Sequence, residues 1–341
     1  MTQDPAGTLL SLPPPRLTAQ ALAALSKAHW GLTGTLHPLT SERDLNHRLD
    51  TATGSFTLKL ANPGEPAPLT DFQTLALLHT AERAPDLPTP RVIPALDGRT
   101  IIPTPDGALR LLTWLPGTPL AHLPRTPALA AAIGQALGRL DAALASFNHP
   151  AATHHLLWDI QNARDLTPLL PALADDLRPR ITAFLARFAA NTSPALAKLP
   201  AQVIHGDFNP HNLLADPTAP ATLTGILDFG DMTRSYRICD LAVAASYLID
   251  PTAPLSLLIP LTRAYHQANP LTAQELGLLP DLITARLATT LAITAWRAAR
   301  YPDNAAYILR NAPTSRAGLD ALTDPAALTD ALLQACERPL P

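Results

Sequence analysis

Two short segments and one isolated lysine carry residue types that could handle a phosphoryl group. The first reads Val203-Ile204-His205-Gly206-Asp207-Phe208-Asn209-Pro210-His211-Asn212-Leu213-Leu214, the second Asp228-Phe229-Gly230. An aspartate on a loop can accept the proton of an attacking hydroxyl and aim it at phosphorus, which makes Asp207 the candidate catalytic base. Asn212 and Asp228 offer the hard oxygens that Mg2+ takes when it bridges nucleotide phosphates. A cation for those phosphates is still needed, and Phe56-Thr57-Leu58-Lys59-Leu60 supplies it. Lys59 sits in an apolar strand, where a solvated lysine has no reason to be. Only Lys27, Lys59 and Lys198 are lysine among 25 Lys and Arg residues, so its position is informative. Each piece alone is weak; together, in this order, they are specific. His205 reads as a structural residue bonding the loop backbone. His154-His155 lacks a second ligand pair at metal-binding spacing.

The elements around these residues change character along the chain. Residues 17–27 have helical spacing of apolar side chains. Three β-like runs follow at 30–37, 46–50 and 55–60, the last two joined by a turn at Thr53-Gly54. A helix is predicted over 69–84, stopped by Pro88-Thr89-Pro90, and two further strands over 99–102 and 108–115 flank Pro105-Asp106-Gly107. From residue 127 the pattern is mostly helical, with helices predicted over 127–147, 178–190, 238–249, 255–267 and 282–300 and a less regular stretch from 314. Residues 201–230 interrupt it with strand and loop. The expected fold class is α+β: two lobes like a protein kinase, a small β-rich N-lobe (1–112) and a larger, mostly helical C-lobe (113–341).

Composition narrows the classes further. The chain has 341 residues, 47% hydrophobic and only 16% charged, with 37 prolines, 15 glycines and a formal net charge of −3. The prolines are scattered and not periodic, which excludes collagen and low-complexity disorder. No stretch clusters Lys and Arg, so no nucleic-acid partner is expected. The most apolar helical run, 281–296, is broken by Arg286 and falls short of about 18 uncharged residues, so no membrane partner is expected either. Residues 1–15 lack a basic region followed by an apolar stretch, and two cysteines form no disulfide framework. A reduced, cytoplasmic setting is the expectation.

Asp207 precedes Asn212 at the D-x-x-x-x-N spacing of a kinase catalytic loop. Only residues 231–237 separate Asp228-Phe229-Gly230 from the next helix, too few for a peptide-docking platform, so the acceptor should be a small molecule. His205-Gly206-Asp207 with Asn212, then Asp228-Phe229-Gly230-Asp231, resembles the aminoglycoside phosphotransferase and choline kinase superfamily. Ser41-Glu42-Arg43-Asp44-Leu45-Asn46, Leu58-Lys59-Leu60-Ala61-Asn62, Arg110-Leu111-Leu112-Thr113-Trp114-Leu115-Pro116-Gly117, Phe147-Asn148-His149-Pro150, Trp158-Asp159 and Phe229-Gly230-Asp231-Met232 look most like its hydroxylysine kinase group. The likeness spans about residues 20–300.

The resemblance implies a kinase-like fold that phosphorylates a hydroxyl of a small amine-bearing molecule. In it Asp207 is the base, Asn212 and Asp228 hold Mg2+, and Lys59 contacts the nucleotide phosphates. The loop with Ser41, Arg43 and Asn46 stands where a glycine-rich lid would be, though it contains no glycine. Thr113 to Leu115 would be the hinge offering backbone groups to the purine. The hydroxylysine kinase group uses GTP, which puts GTP before ATP as donor. The kinase template also wants a glutamate on the first-lobe helix to pair with Lys59. This chain offers only Asp71 and Gln73 near that place, with Glu82 too late, so the partner stays open. A zwitterionic acceptor wants an arginine for its carboxylate and acids or aromatics for its ammonium groups. Asp231, Tyr236, Trp158, Asp159, Arg286 and Trp296 are the candidates. The alternatives are a homoserine, choline, ethanolamine or aminoglycoside kinase of the same fold, or a pseudokinase that binds without turnover. The intact Asp207, Asn212 and Asp228 argue against the last. Oligomeric state is not readable.

Overall fold

The structure, a computed structural model, describes residues 14–41 and 43–337. Most of the segment examined for a leader, Glu42 of the lysine-side loop and the last four residues lie outside the described residues. The chain divides into two compact units. The first holds the described residues up to Pro116, with His149–Ala152 and Gly225–Leu227; the second holds Gly117–Asn148, Thr153–Thr224 and the rest from Asp228.

In the first unit, α1 (Ala19–Trp30) is followed by β1 (Gly34–Leu39), β2 (Leu45–Thr51), β3 (Gly54–Leu60), α2 (Ala67–Arg83), β4 (Ile102–Thr104) and β5 (Gly107–Thr113). The strands form one antiparallel sheet in the order β1-β2-β3-β5-β4. Trp30 ends a helix here; it does not open a strand. Thr18 caps the first turn of α1 by accepting from Ala21 N, and Gly31 closes the last turn in the left-handed region. The Trp30 indole then donates to Ile93 O at 3.0 Å, with the ring buried. Alternation sorts the two faces of the sheet. Leu58, Leu60, Leu109 and Leu111 join Leu22 and Trp30 in the core under α1. The opposite face carries a polar row, since Asn46 stands across from Lys59 and Lys59 across from Arg110. Arg110 is buried against α2, donating to Gln73 Oε1 at 2.9 Å and Thr74 Oγ1 at 3.2 Å.

The second unit contains β6 (Thr118–Pro119), α3 (Pro127–Leu144), α4 (Leu177–Arg187), α5 (Ser193–Leu196), β7 (Gln202–Ile204), β8 (Leu213–Asp216), most of β9 (Ala219–Ile226, its last two residues counted in the first unit), β10 (Thr233–Ser235), α6 (Arg237–Ser246), α7 (Leu255–Ala268), α8 (Ala273–Arg300), α9 (Ala305–Ile308), α10 (Ala312–Ala321) and α11 (Pro325–Glu337). β7 pairs with β10, and β8 lies between β6 and β9. A run of 3-10 turns, Ile160–Ala172, follows Asp159; Pro168 and Pro171 inside it keep the run from becoming an α-helix.

Several boundaries differ from the sequence expectation, with β4 at Ile102–Thr104 where 99–102 was expected and α6 stopping at Ser246, short of 249. α4 gives way to a π-helical turn, Phe188–Thr192, and α3 stops at Leu144. α8 begins well before residue 282, because Thr272 and Glu275 form a capping box and Pro280 is accommodated within the helix. α8 is the one helix among the described residues long and apolar enough to cross a membrane, yet 78% of its apolar window is buried inside the protein. It is the core helix of its unit, packed against α6 and the 3-10 run.

Candidate active site

Asp207 sits on the loop between β7 and β8, and its backbone is pinned before its side chain is aimed. His205 N donates to Asp240 Oδ2 at 2.7 Å and Gly206 N to Asp240 Oδ1 at 3.0 Å, all of it buried on α6. Gly206 has φ +80°, and a Cβ there would lie 2.5 Å from Asp231 O, so no other residue fits. The buried His205 ring meets Phe208 and Phe229 edge-on, with centroids 5.5 and 4.9 Å away, and its Nδ1 accepts from Asp207 N at 3.3 Å. His205 is thus tied into the loop backbone, as its sequence context suggested.

The Asp207 carboxylate is fully engaged on one side. Oδ2 accepts from Asn209 Nδ2 and Asn212 Nδ2, each at 2.8 Å. Oδ1 pairs with Arg286 Nη2 at 2.8 Å. Arg286 projects from the middle of α8 with its side chain only 3% exposed, against 22% for Asp207. Its guanidinium lies over the Trp158 ring at 5.1 Å and near the Tyr247 ring at 5.9 Å, with Nη1 donating to Trp158 O at 3.3 Å. Burial works against this charge, but Tyr247, Asp207 and Asp231 beside it hold the guanidinium firmly protonated. Its Nε is buried with no hydrogen-bond partner among the described residues.

Metal-holding capacity can be tested on the donors. Asn212 commits Nδ2 to Asp207, so its Oδ1, which receives no hydrogen bond among the described residues, is left to act as a ligand. Asp228 is exposed and, among the described residues, accepts only from Gly230 N at 3.3 Å. It is also the one non-glycine residue with positive φ (57°) among the described residues. Such strain collects at functional positions and costs on the order of 1 kcal/mol or more. Among the described residues no three His, Cys, Asp or Glu side chains gather as a metal site. The oxygens of Asn212 and Asp228 are nevertheless the hard donors that suit a divalent cation carried in with phosphates.

The first unit holds the lysine. Lys59 Nζ pairs with Asp44 Oδ2 at 2.8 Å, the side chains 16% and 13% exposed. The partner therefore comes from the loop before β2, while Gln73 on α2 is taken by Arg110 and Asp71 faces His149 Nε2 at 3.2 Å. Burial alone would raise the Asp44 carboxyl; Lys59, Arg43 and the Asn62 N–H outweigh it and hold it below the usual carboxylate range. Ser41 Oγ accepts from Asp44 N, and Arg43 O accepts from Asn62 Nδ2, which shapes the 41–46 loop without glycine. Asn46 Oδ1 is buried with no donor among the described residues. In the 113–115 segment, Thr113 N and Trp114 N are used by Arg91 O and Ser55 O, whereas Leu115 makes no hydrogen bond among the described residues.

The remaining candidates divide. Trp158, Arg286 and Asp231 come together around Asp207, with Tyr247 added from the end of α6. Asp159 is buried as the cap of the 3-10 run, accepting from Ser235 Oγ at 2.9 Å and from Gln161. Burial, above all, raises its carboxyl. Tyr236 is the N-cap residue of α6, its hydroxyl pushed up by burial. Trp296 is about 15 Å further along α8 than Arg286, where Arg300 covers its ring at 5.6 Å. Asn209, Tyr247, Asp240 and Asp44 were not anticipated. Asn209 and Asp44 lay within quoted segments, but nothing local marks Tyr247 and Asp240.

Residues 35–276 match the family model described as the phosphotransferase enzyme family. The chain belongs to that family. This phosphotransferase is 28% identical over 336 residues to the hydroxylysine kinase of Mus musculus, covering 90% of this chain and 89% of that one. It is 27% identical over 329 residues to the hydroxylysine kinase of Danio rerio, covering 91% of each. Its fold is shared with an amicoumacin kinase solved in complex with AMP-PNP and Ca2+, with a TM-score of 0.69 at 14% identity over 91% of this chain and 95% of that one. The phosphotransferase is a small-molecule kinase that acts on an alcohol group, built on the kinase-like fold.

Proposed function

We propose that this phosphotransferase transfers the γ-phosphate of GTP or ATP to the hydroxyl of 5-hydroxylysine or a closely related amino acid, with Mg2+ on Asn212 and Asp228 and Lys59 on the nucleotide phosphates. The observation that carries the reading is the hydrogen-bond inventory of Asp207. A carboxylate has about four lone-pair directions. Both on Oδ2 are filled by Asn209 and Asn212, while Oδ1 holds only Arg286. One direction on Oδ1 remains for the acceptor hydroxyl, whose oxygen attacks phosphorus as Asp207 takes its proton. The cation, when bound, neutralises charge on the phosphates. The extent of similarity to hydroxylysine kinases supports the acceptor. Arg286 supports an acceptor with a carboxylate, because a buried guanidinium beside the base can share itself with a second anion. Asp231, within electrostatic reach of Arg286, is the acid we assign to an ammonium group.

A coupled assay crossing GTP and ATP with 5-hydroxylysine, homoserine, choline, ethanolamine and kanamycin tests the substrate. Turnover of the amino acids with little on choline and ethanolamine is expected; kanamycin as the preferred acceptor would overturn the acceptor assignment. Asp207→Asn should cut kcat by about 10²–10⁴-fold while nucleotide affinity stays within a few-fold. Equal turnover of variant and wild type would remove Asp207 from the role of base.

A further inference from the structure

Two carboxyls that the transfer does not use are buried together in the second unit. Asp141 on α3 and Asp240 on α6 both have no exposed surface, and their side chains share a hydrogen bond. Tyr265 on α7 donates its hydroxyl to Asp141 Oδ2 at 2.6 Å. Packing explains how Tyr265 gets there. A Cβ on Gly134 would lie 2.0 Å from Leu261 O, and one on Gly138 2.8 Å from Tyr265 O, so α3 and α7 touch backbone to backbone. Asp141 is the next position on the same face of α3.

Two ionised carboxylates cannot share a dry contact, so one of them keeps a proton. Hydrogen bonding decides which. Asp240 receives an N–H on each oxygen, from His205 and Gly206. Asp141 Oδ1 receives no donor among the described residues, as befits the oxygen that bears the proton and gives it to Asp240. The neighbouring groups agree. α7 presents Tyr265, the β7 loop His205, and α6 Cys239 and Arg237; Arg237 is held by Glu275 of α8 at 2.7 and 2.8 Å, and Asp159 lies within electrostatic reach of Asp240. β7 adds the neutral Gln202, which donates to Asp141 O. Burial first and Asp240 second push the Asp141 carboxyl well above its usual range; Arg237 opposes this as the smallest of the influences.

We propose that Asp141 is a positioning residue for phosphoryl transfer: its neutral carboxyl donates to Asp240, and the pair fixes the His205–Gly206 backbone from which Asp207 projects. This rests on Asp207 being the base. Ionising Asp141 would set it against Asp240 and loosen the grip on two N–H groups whose tilt passes directly to Asp207 N through His205 Nδ1.

Asp141→Asn and Asp141→Leu separate the possibilities. The asparagine amide can donate to Asp240 and accept from Tyr265, and it does not titrate. D141N should keep kcat within about 3-fold, whereas D141L should lose about 10²-fold in kcat with both KM values little changed, the mark of a lost transition-state geometry. Thermal melts against pH give a second readout independent of turnover. The folded carboxyl holds a proton that the unfolded one releases, so this part of the wild-type stability is present in acid and is lost as pH rises through the raised value of Asp141. D141N has no such slope, and its Tm should gain on wild type as pH rises. Parallel Tm curves would show that Asp141 is not the proton holder. D141L with wild-type kcat, or D141N as slow as D141L, would overturn the positioning role. If D141L fails to fold, the D141N melts and kcat still decide. If Asp207→Asn were to stay active, the melts would still report on the proton while the link to the base fell.

Discussion

Lys59 and Asp44 are dry enough that neither can be changed alone. Removing the lysine leaves a carboxylate that burial disfavours, with only Arg43 and the Asn62 N–H still supporting its charge. Lys59→Met should therefore destabilise the protein by about 2 kcal/mol, less than the ~3–5 for a fully buried pair because both side chains keep some solvent. The sign with pH follows from the lowered Asp44 carboxyl. Its contribution is present above the unfolded value and is lost as pH falls through the lower folded value, so the deficit of the variant should be full at neutral pH and narrow in acid. Urea melts at both pH values check this; a gap that stays constant would mean that the pair is not the cause. The sequence singled out Lys59 because lysine is scarce and the strand apolar. It pointed to α2 for the partner because a kinase template keeps an acid there. The true partner depends on the path of the 41–46 loop, which no periodicity encodes. Asp207 and Asn212 were legible because they are close in sequence on one loop; Arg286 stood out as a charge in an apolar run, but its contact with Asp207 is tertiary.

Local signals also decided how well the elements could be read. The β2–β3 hairpin was plain from Thr53-Gly54, and β5 from Leu109, Leu111 and Leu112, which flank the buried Arg110. α8 was read short, from residue 282, although Thr272-x-x-Glu275 upstream is the pattern that starts a helix. Glu275 then does two jobs, closing the capping box and gripping Arg237 of α6. Thr272→Ala should cost about 1 kcal/mol, seen as a lower Tm. Because Thr272 lies about 20 Å along α8 from Arg286, kcat and KM should not move. A kinetic defect as large as the stability defect would show that the helix start communicates with the base. Asp141 was invisible at this scale: an aspartate in an amphipathic helix reads as solvated unless the glycine-lined contact with α7 is already known.

At the scale of the whole molecule, neither described unit contains a built-in metal cluster, and both cysteines are free. The proposed cation donors are an exposed aspartate and one amide oxygen. EDTA should therefore abolish phosphoryl transfer without lowering Tm, and added Mg2+ should restore it; a fall in Tm on chelation would reveal a structural ion. One more consequence follows from the composition of α8. Between Asp281 and Arg297 its only charge is Arg286. While the chain is being made, α8 emerges before α10 and α11 exist to cover it, as a long apolar stretch of the kind that the protein-translocation machinery reads as a membrane anchor. An arginine at the centre of such a stretch disfavours insertion by about 3 kcal/mol. Arg286, which pairs with Asp207, thus also lowers the propensity of this stretch to insert, and replacing it with leucine would change both at once.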